Sequence, residues 1–230
     1  MLLSGGMDSA VTLYIARKTY DASALIFKYG QRAGQETASA VKVAEKAGVP
    51  YYILDISFPW KGSTLLDSSL TVPSGGASAG GSIPSTYVPG RNIIFLSFGV
   101  SFAEAIGARA VFIGAHEQDY SNYPDCRRGF FDNFEKAVNS GTKLGVEGER
   151  VEVVTPLIDK TKKEIIRTGM SLGVPFELTW SCYDGGKTPC GRCESCMFRA
   201  RGFEEAGLTD PVLPGVAVKR KIKNIVKVVK

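Results

Sequence analysis

Met1-Leu2-Leu3-Ser4-Gly5-Gly6-Met7-Asp8-Ser9 opens the chain and joins an apolar strand end to a Ser-Gly-Gly-x-Asp-Ser loop followed at once by a helical pattern. Two adjacent glycines let the backbone approach a ligand and reach conformations closed to other residues. A helix from Asp8 to about Arg17 turns its free N–H groups and the positive end of its dipole toward the loop, which attracts anionic oxygens. Ser4 and Ser9 add hydroxyl donors. The stretch reads as a phosphate cradle, with Leu3, Ser4, Gly5, Gly6, Met7, Asp8, Ser9, Ala10, Val11, Thr12 and Leu13 as the nucleotide-binding run. The lysine of the Gly-x-x-x-x-Gly-Lys-Ser/Thr loop is missing, so handing on a γ-phosphate is not expected. The bland alternative is a strand-to-helix turn in which Ser4 or Asp8 only caps the helix. Met1, Leu2 and Leu3 are too few for a buried central strand of about five or six residues, which points to a start upstream of Met1.

Beyond the loop, β-rich runs at residues 22–29, 51–56, 110–114 and 151–155 alternate with helical patterns at 31–47, 92–106 and 161–172. The helices stop at Gly48 before Pro50, at Gly107, and at Gly173 before Pro175, as helix-stop rules require. With Leu2-Leu3 as the first strand, this alternation predicts an α/β fold: a parallel five-stranded sheet with helices on both faces. Ligands of such sheets sit beyond the carboxyl ends of the strands at the switch point, where a loop after the first strand belongs. Residues 57–89 break the rhythm around Ser74-Gly75-Gly76-Ala77-Ser78-Ala79-Gly80-Gly81-Ser82. No dense packing is expected there, and two readings stand: a disordered insertion, or a lid that orders over substrate.

At 230 residues and 44% hydrophobic content, the chain can bury a sizeable core as one domain, with or without a small appendage. No hydrophobic run is long enough to span a bilayer and no leader pattern precedes a cleavage site, so a soluble cytoplasmic protein is expected. The formal charge of +5 hints at nucleic acid. However, Lys219, Arg220, Lys221, Lys223, Lys227 and Lys230 crowd without an acid into residues 216–230, leaving the body close to neutral. The tail reads as a solvated or partner-docking segment.

Four of the five cysteines, Cys182, Cys190, Cys193 and Cys196, fall within fifteen residues. Without an export signal disulfides are disfavoured, and four thiolates point to a metal. Zinc suits them as a closed structural site that fixes a segment too small for its own core. An iron-sulfur cluster is the rival, but its usual run adds a cysteine downstream rather than upstream. Arg192, Arg199 and Arg201 around the cluster either neutralise its two net negative charges or form a solvated face, the second being the default.

The cradle resembles the PP-loop of ATP pyrophosphatases, which attack the α-phosphate, release pyrophosphate and leave AMP on an activated oxygen. Further segments sharpen the resemblance: Tyr29-Gly30-Gln31-Arg32, Val88-Pro89-Gly90-Arg91-Asn92, Asp119-Tyr120-Ser121-Asn122-Tyr123-Pro124-Asp125-Cys126-Arg127, Thr161-Lys162-Lys163-Glu164-Ile165 and Ser181-Cys182-Tyr183. From Leu2 to about Pro211 the chain is similar to the 7-cyano-7-deazaguanine synthase family of queuosine and archaeosine precursor synthesis.

The resemblance implies an adenine nucleotide alpha hydrolase-like fold. Residues 1–175 would form the nucleotide-binding domain, 176–215 a zinc-binding helical segment and 216–230 a basic tail. It also implies conversion of 7-carboxy-7-deazaguanine to the nitrile: ATP adenylates the carboxylate, ammonia displaces AMP to give an amide, and a second adenylation lets the amide lose its oxygen as AMP. Asp8, Lys162 and Arg91 are the implied catalytic residues. Lys162 and Arg91 would act as cations on the phosphates, and Asp8 would hold magnesium or position a phosphate-bound group. Tyr29, Gln31, Arg32, Asp119, Tyr123, Asp125, Cys126 and Arg127 are the expected substrate residues, with a carboxylate of the Asp119–Asp125 loop reading the donors of a guanine-like base. His116, the only histidine, has nothing in its sequence setting that suggests a nucleophilic relay. Free ammonia is expected as nitrogen donor, with zinc and ATP-bound magnesium as cofactors, a homodimer as the assembly, and neither nucleic acid nor membrane as partner. Where the family often has His after Gln-Arg this chain has Ala33, so no role of that His carries over. The runner-up is a PP-loop enzyme that adenylates a base within tRNA; a nucleotide-binding regulatory domain is third.

Overall fold

The computed structural model describes residues 1–74, 83–116 and 123–213. Helix α1 (Met7–Ala16) follows the cradle, and β1 (Ala24–Lys28), α2 (Gly34–Ala47), β2 (Tyr51–Asp55), α3 (Arg91–Ile106) and β3 (Ala110–Phe112) come next. The chain continues through α4 (Arg128–Gly141), the short α5 (Lys143–Val146), β4 (Glu152–Val154), α6 (Lys162–Leu172) and α7 (Glu194–Ala206). Strands β1 and β2 pair in parallel, as do β3 and β4. Between the two pairs lies Met1–Leu3, too short to count as a strand. Leu2 N–H donates to Phe112 O at 2.9 Å on one side, while Leu3 N–H donates to Leu25 O and Leu25 N–H to Met1 O, both at 2.8 Å, on the other. The expected first strand is thus an isolated parallel bridge, and the regular strands among the described residues form two pairs rather than a continuous five.

Alternation along β1 divides the core. Ala24 and Ile26 face a cluster with α1, α2, α6 and α7, which includes Val11, Val43, Ile165, Ile166 and Phe203. Leu25 and Phe27 face the opposite cluster with α3 and α4, through Leu96, Val100 and Phe131. Helices therefore cover both faces, as a parallel pairing buried on two sides requires. The expected stops at Gly48, Gly107 and Gly173 hold, each in the left-handed conformation. Helix α4 lies outside the expected helices, although Phe130, Phe134 and Val138 recur at intervals of four.

Residues 57–74 and 83–89 pack, against the expectation for the Gly/Ser-rich stretch. Ser63 and Thr64 are buried and hydrogen-bond the carbonyls of Thr86 and Ser85, and Leu65, Val72 and Val88 join the interior. Ser74 bridges to Cys193. Residues 75–82 and the 216–230 tail lie outside the described residues.

Candidate functional site

The cradle is held from three sides. Gly5 has φ +86°, and a Cβ there would come within 2.2 Å of Glu36 O, so only glycine permits α2 to pack this close. Trp180 N–H donates to Gly5 O at 2.9 Å, tying the loop to the segment that leads into the cysteines. Just beyond β3, Gly114 lies against the backbone of Asp8 and Ser9, where a Cβ would meet Ser9 N at 2.9 Å. Inside the loop, Ser9 Oγ accepts from Ser4 N–H and donates to Gly6 O, and Ser4 Oγ accepts from Gly6 N–H. Gly6 caps α1 without a side-chain acceptor, which leaves the helix's positive end facing the loop.

Lys162, the first residue of α6, enters from the next turn of chain, its helix fixed by a capping box between Thr161 and Glu164. Its stem lies on Gly202 of α7, where a Cβ would come within 2.4 Å of Lys162 Cγ. Its Nζ donates to both carboxylate oxygens of Asp8, at 3.0 and 3.2 Å, and to His116 Nε2 at 3.0 Å. His116 Nε2 also lies 3.5 Å from Asp8 Oδ2, so the three side chains form one cluster. Burial alone would push the Asp8 carboxyl up, but Lys162 and His116 together outweigh it and hold the carboxyl well below the usual range. His116, buried beyond the end of β3, was missed by sequence reasoning; its place after a strand at the switch point was the available signal.

A cavity of about 250 Å³ opens in front of the cradle, near the lower bound of roughly 300–1,000 Å³ for small-molecule pockets. Leu3, Ser4, Gly6, Met7, Asp8 and Ser9 form one end, and Arg91, Tyr29, Gln31, Cys126, Phe95 and Tyr183 line the rest, with Glu36 between the two. Arg91 Nη1 reaches Tyr29 Oη at 3.4 Å. Burial works against its charge, but Tyr29, Tyr123 and Asp125 around it favour the cation more strongly. A smaller cavity of about 90 Å³ adjoins the first, sharing Met7, Asp8, Ser181, Tyr183 and Ser195 and adding Lys162. Glu36, Trp180, Tyr183 and Ser195 complete walls that sequence reasoning did not assign. Glu36 could have been suspected, five residues after Gln31 in the first turn of α2.

Several expected contacts are placed elsewhere. Ala10, Val11, Thr12 and Leu13 are fully buried in the core and turn away from the cradle, because a helix presents only its first turn to a ligand at its end. Asp125 is buried and does not line the cavity; its Oδ2 accepts from Asn92 N–H at 3.2 Å, which satisfies the first turn of α3. Burial pushes the Asp125 carboxyl up, opposed by Arg91 and that N–H. Arg32 turns outward to the carbonyls of Leu70 and Thr64. Tyr123 pairs with the Thr86 hydroxyl, and Arg127 is exposed ahead of α4. Asp119 lies outside the described residues.

The four cysteines converge, their Sγ atoms all within 4.8 Å of one another. A tetrahedron with metal–sulfur bonds of about 2.3 Å has edges of roughly 3.8 Å, so a slight contraction would close the set on a metal such as zinc. Cys182 Sγ accepts from Asp184 N–H and Cys190 N–H, and Cys190 Sγ from Cys193 N–H, the bonds that thiolates favour. Arg199 corrects the expectation of a solvated face. It is 2% exposed and grips Asp210 with Nε and Nη2 at 2.8 and 3.0 Å, while Nη1 donates to Thr179 Oγ1 at 2.7 Å. Arg192 and Arg201 do stay in solvent.

A family model described as "Queuosine biosynthesis protein QueC" matches residues 1–207. The chain is 49% identical over 223 residues to the "7-cyano-7-deazaguanine synthase" of Cyanothece sp. (strain PCC 7425 / ATCC 29141), covering 92% of this chain and 97% of that one. It is 45% identical over 216 residues to the protein of the same name from Clostridium kluyveri, covering 92% and 95%. A solved structure, that of NMN synthetase from Francisella tularensis, aligns at a TM-score of 0.42 and 18% identity over 94% of this chain and 78% of that one.

Proposed function

The chain belongs to the queuosine biosynthesis protein QueC family, and from that premise we infer that it converts 7-carboxy-7-deazaguanine and ammonia to 7-cyano-7-deazaguanine at the expense of ATP. The supporting observation is the cradle itself. A Ser-Gly-Gly-x-Asp-Ser loop at an open helix end, flanked by Lys162 and Arg91, faces a cavity sized for a small base rather than a nucleic acid.

In this reading the backbone N–H groups of the first turn of α1, with Ser4 and Ser9, hold the polyphosphate, and Lys162 supplies the cation that follows pyrophosphate out. Asp8 positions that cation. Both its oxygens accept from Lys162, which leaves its remaining lone pairs for any contact with ATP-bound magnesium. Magnesium bound with ATP supplies charge neutralisation of the phosphates. Arg91, with Tyr29 beside it, faces the reacting carboxylate, and the aromatic wall of Tyr29, Phe95 and Tyr183 stacks the deazaguanine. Attachment of AMP turns a poor leaving oxygen into a good one without a covalent enzyme intermediate. Cys182, Cys190, Cys193 and Cys196 would hold a structural zinc, which would fix Trp180 and Ser181 against the cradle. Reduced thiols of this kind belong in the cytoplasm. A homodimer would fit the exposed strand β2, where Tyr52 packs on Phe102 at 4.9 Å yet stays 49% exposed and Ile53, on the opposite face of the strand, is also 49% exposed.

The decisive experiment supplies the acid, ATP, magnesium and ammonium and weighs the products. The nitrile with AMP and pyrophosphate is the expected result, and ADP with phosphate would overturn the reading.

A further inference from the structure

We propose that Glu36 is the proton acceptor of the nitrogen-transfer steps. The proposal rests on the reading above and deepens it, and it starts from an inventory of hydrogens. Ammonia carries three N–H bonds, the amide two and the nitrile none, so three protons must leave nitrogen beside the cradle. When ammonia attacks the acyl adenylate, the C–N bond forms, one proton leaves the nitrogen, and the C–O bond breaks with its electron pair going to AMP. In the second round the amide oxygen bonds to the α-phosphorus and pyrophosphate departs. Both remaining N–H protons are then lost as the C≡N bond completes and the C–O bond breaks to AMP.

Among the described residues lining the main cavity the carboxylates are Asp8 and Glu36. Asp8 pairs with Lys162 through both oxygens, and Lys162 and His116 hold it well below the usual carboxylate range, so it is a poor proton acceptor. The phenols of Tyr29 and Tyr183 are pushed up by burial, so they hold their protons and offer no basic oxygen. Glu36 is in the first turn of α2, and the approach of its backbone to Gly5 locks it beside the phosphate loop where the reacting atoms gather. Arg91 from α3, Tyr29 after β1, Tyr183 and Cys182 from the cysteine segment are the charged and titratable groups around it. Burial pushes its carboxyl up to about 7 against the opposing pull of Arg91, the range in which a carboxylate accepts protons well and sheds them again to water at neutral pH.

The test separates half-reactions in the full-length protein with Glu36→Gln and Glu36→Asp. Adenylation of the acid loses no N–H proton, so Glu36→Gln should slow pyrophosphate release from ATP and the acid, without ammonium, far less than it slows the nitrogen-transfer steps. Conversion of added amide to nitrile should slow by about 100-fold or more, and Glu36→Asp should recover part of it. Equal slowing of both half-reactions, or no slowing of the second, would overturn the assignment. Failure of wild-type protein to release pyrophosphate with the acid would instead remove the underlying activity.

Discussion

Removing the Arg199 guanidinium would strand the Asp210 carboxylate, 3% exposed, among apolar neighbours. Breaking one half of a buried pair costs about 3–5 kcal/mol, so Arg199→Met should lower the urea midpoint sharply. Arg199→Met with Asp210→Leu should recover much of the loss, since the second change removes the orphaned charge. Recovery by the double variant in denaturation would separate this from a simple loss of packing against Phe203, whose ring centroid is 5.5 Å from the guanidinium carbon. The Asp8–Lys162 pair predicts a different signature. If Asp8 acts only by placing Lys162, Asp8→Asn and Lys162→Met should each cut pyrophosphate release by about 10²–10³, and the double variant should be no slower than the worse single. Additive losses in steady-state rates would show that Asp8 works independently, for instance on magnesium.

At the scale of elements, the cysteine segment and α7 form one unit. Cys193 is both a member of the thiol cluster and the N-cap of α7, whose Phe203 and Ala206 enter the main core. Cys193→Ser should therefore lose metal and destabilise the whole protein, as measured by metal content and thermal midpoint. A stable, metal-free variant would show that the segment folds without its ion. Asp125 belongs to this scale as well: its carboxylate satisfies the start of α3, so Asp125→Ala should cost about 0.5–2 kcal/mol of stability, the range for losing a helix cap. The cap contact was not legible, because Asp125 and Asn92 are 33 residues apart in sequence. Glycine-stopped helices and the alternating β1 were legible, since both patterns are local. The burial of Arg199 was not, for its partner Asp210 comes after the end of α7 and no spacing rule joins them.

Across the whole molecule, Met1–Leu3 is the seam between the two strand pairs, and its far end is the cradle. The loop before α1 and the cysteine set were legible as units because each is continuous or nearly so, and the four thiols do converge. Residues 10–13 were read as part of the same contact run, whereas the structure places Ala10, Val11 and Leu13 in the core and turns the Thr12 hydroxyl to the Asp8 carbonyl. The same view from the whole chain bears on the basic tail. The family match ends at residue 207, and the described walls of the two site cavities come from residues between Leu2 and Arg199. Deleting residues 216–230 should therefore leave kcat and both Michaelis constants nearly unchanged, because the phosphate cations and base-facing side chains assigned above all come from residues before 207. Six lysines and arginines without an acid would still give that segment a salt-dependent affinity for polyanions. Titrating full-length and truncated protein with tRNA at two salt concentrations, beside the kinetic assay, tests both halves. Loss of weak RNA binding with unchanged turnover is the expected outcome. A large rise in the Michaelis constant for the deazaguanine on truncation would instead bring the tail into the active site.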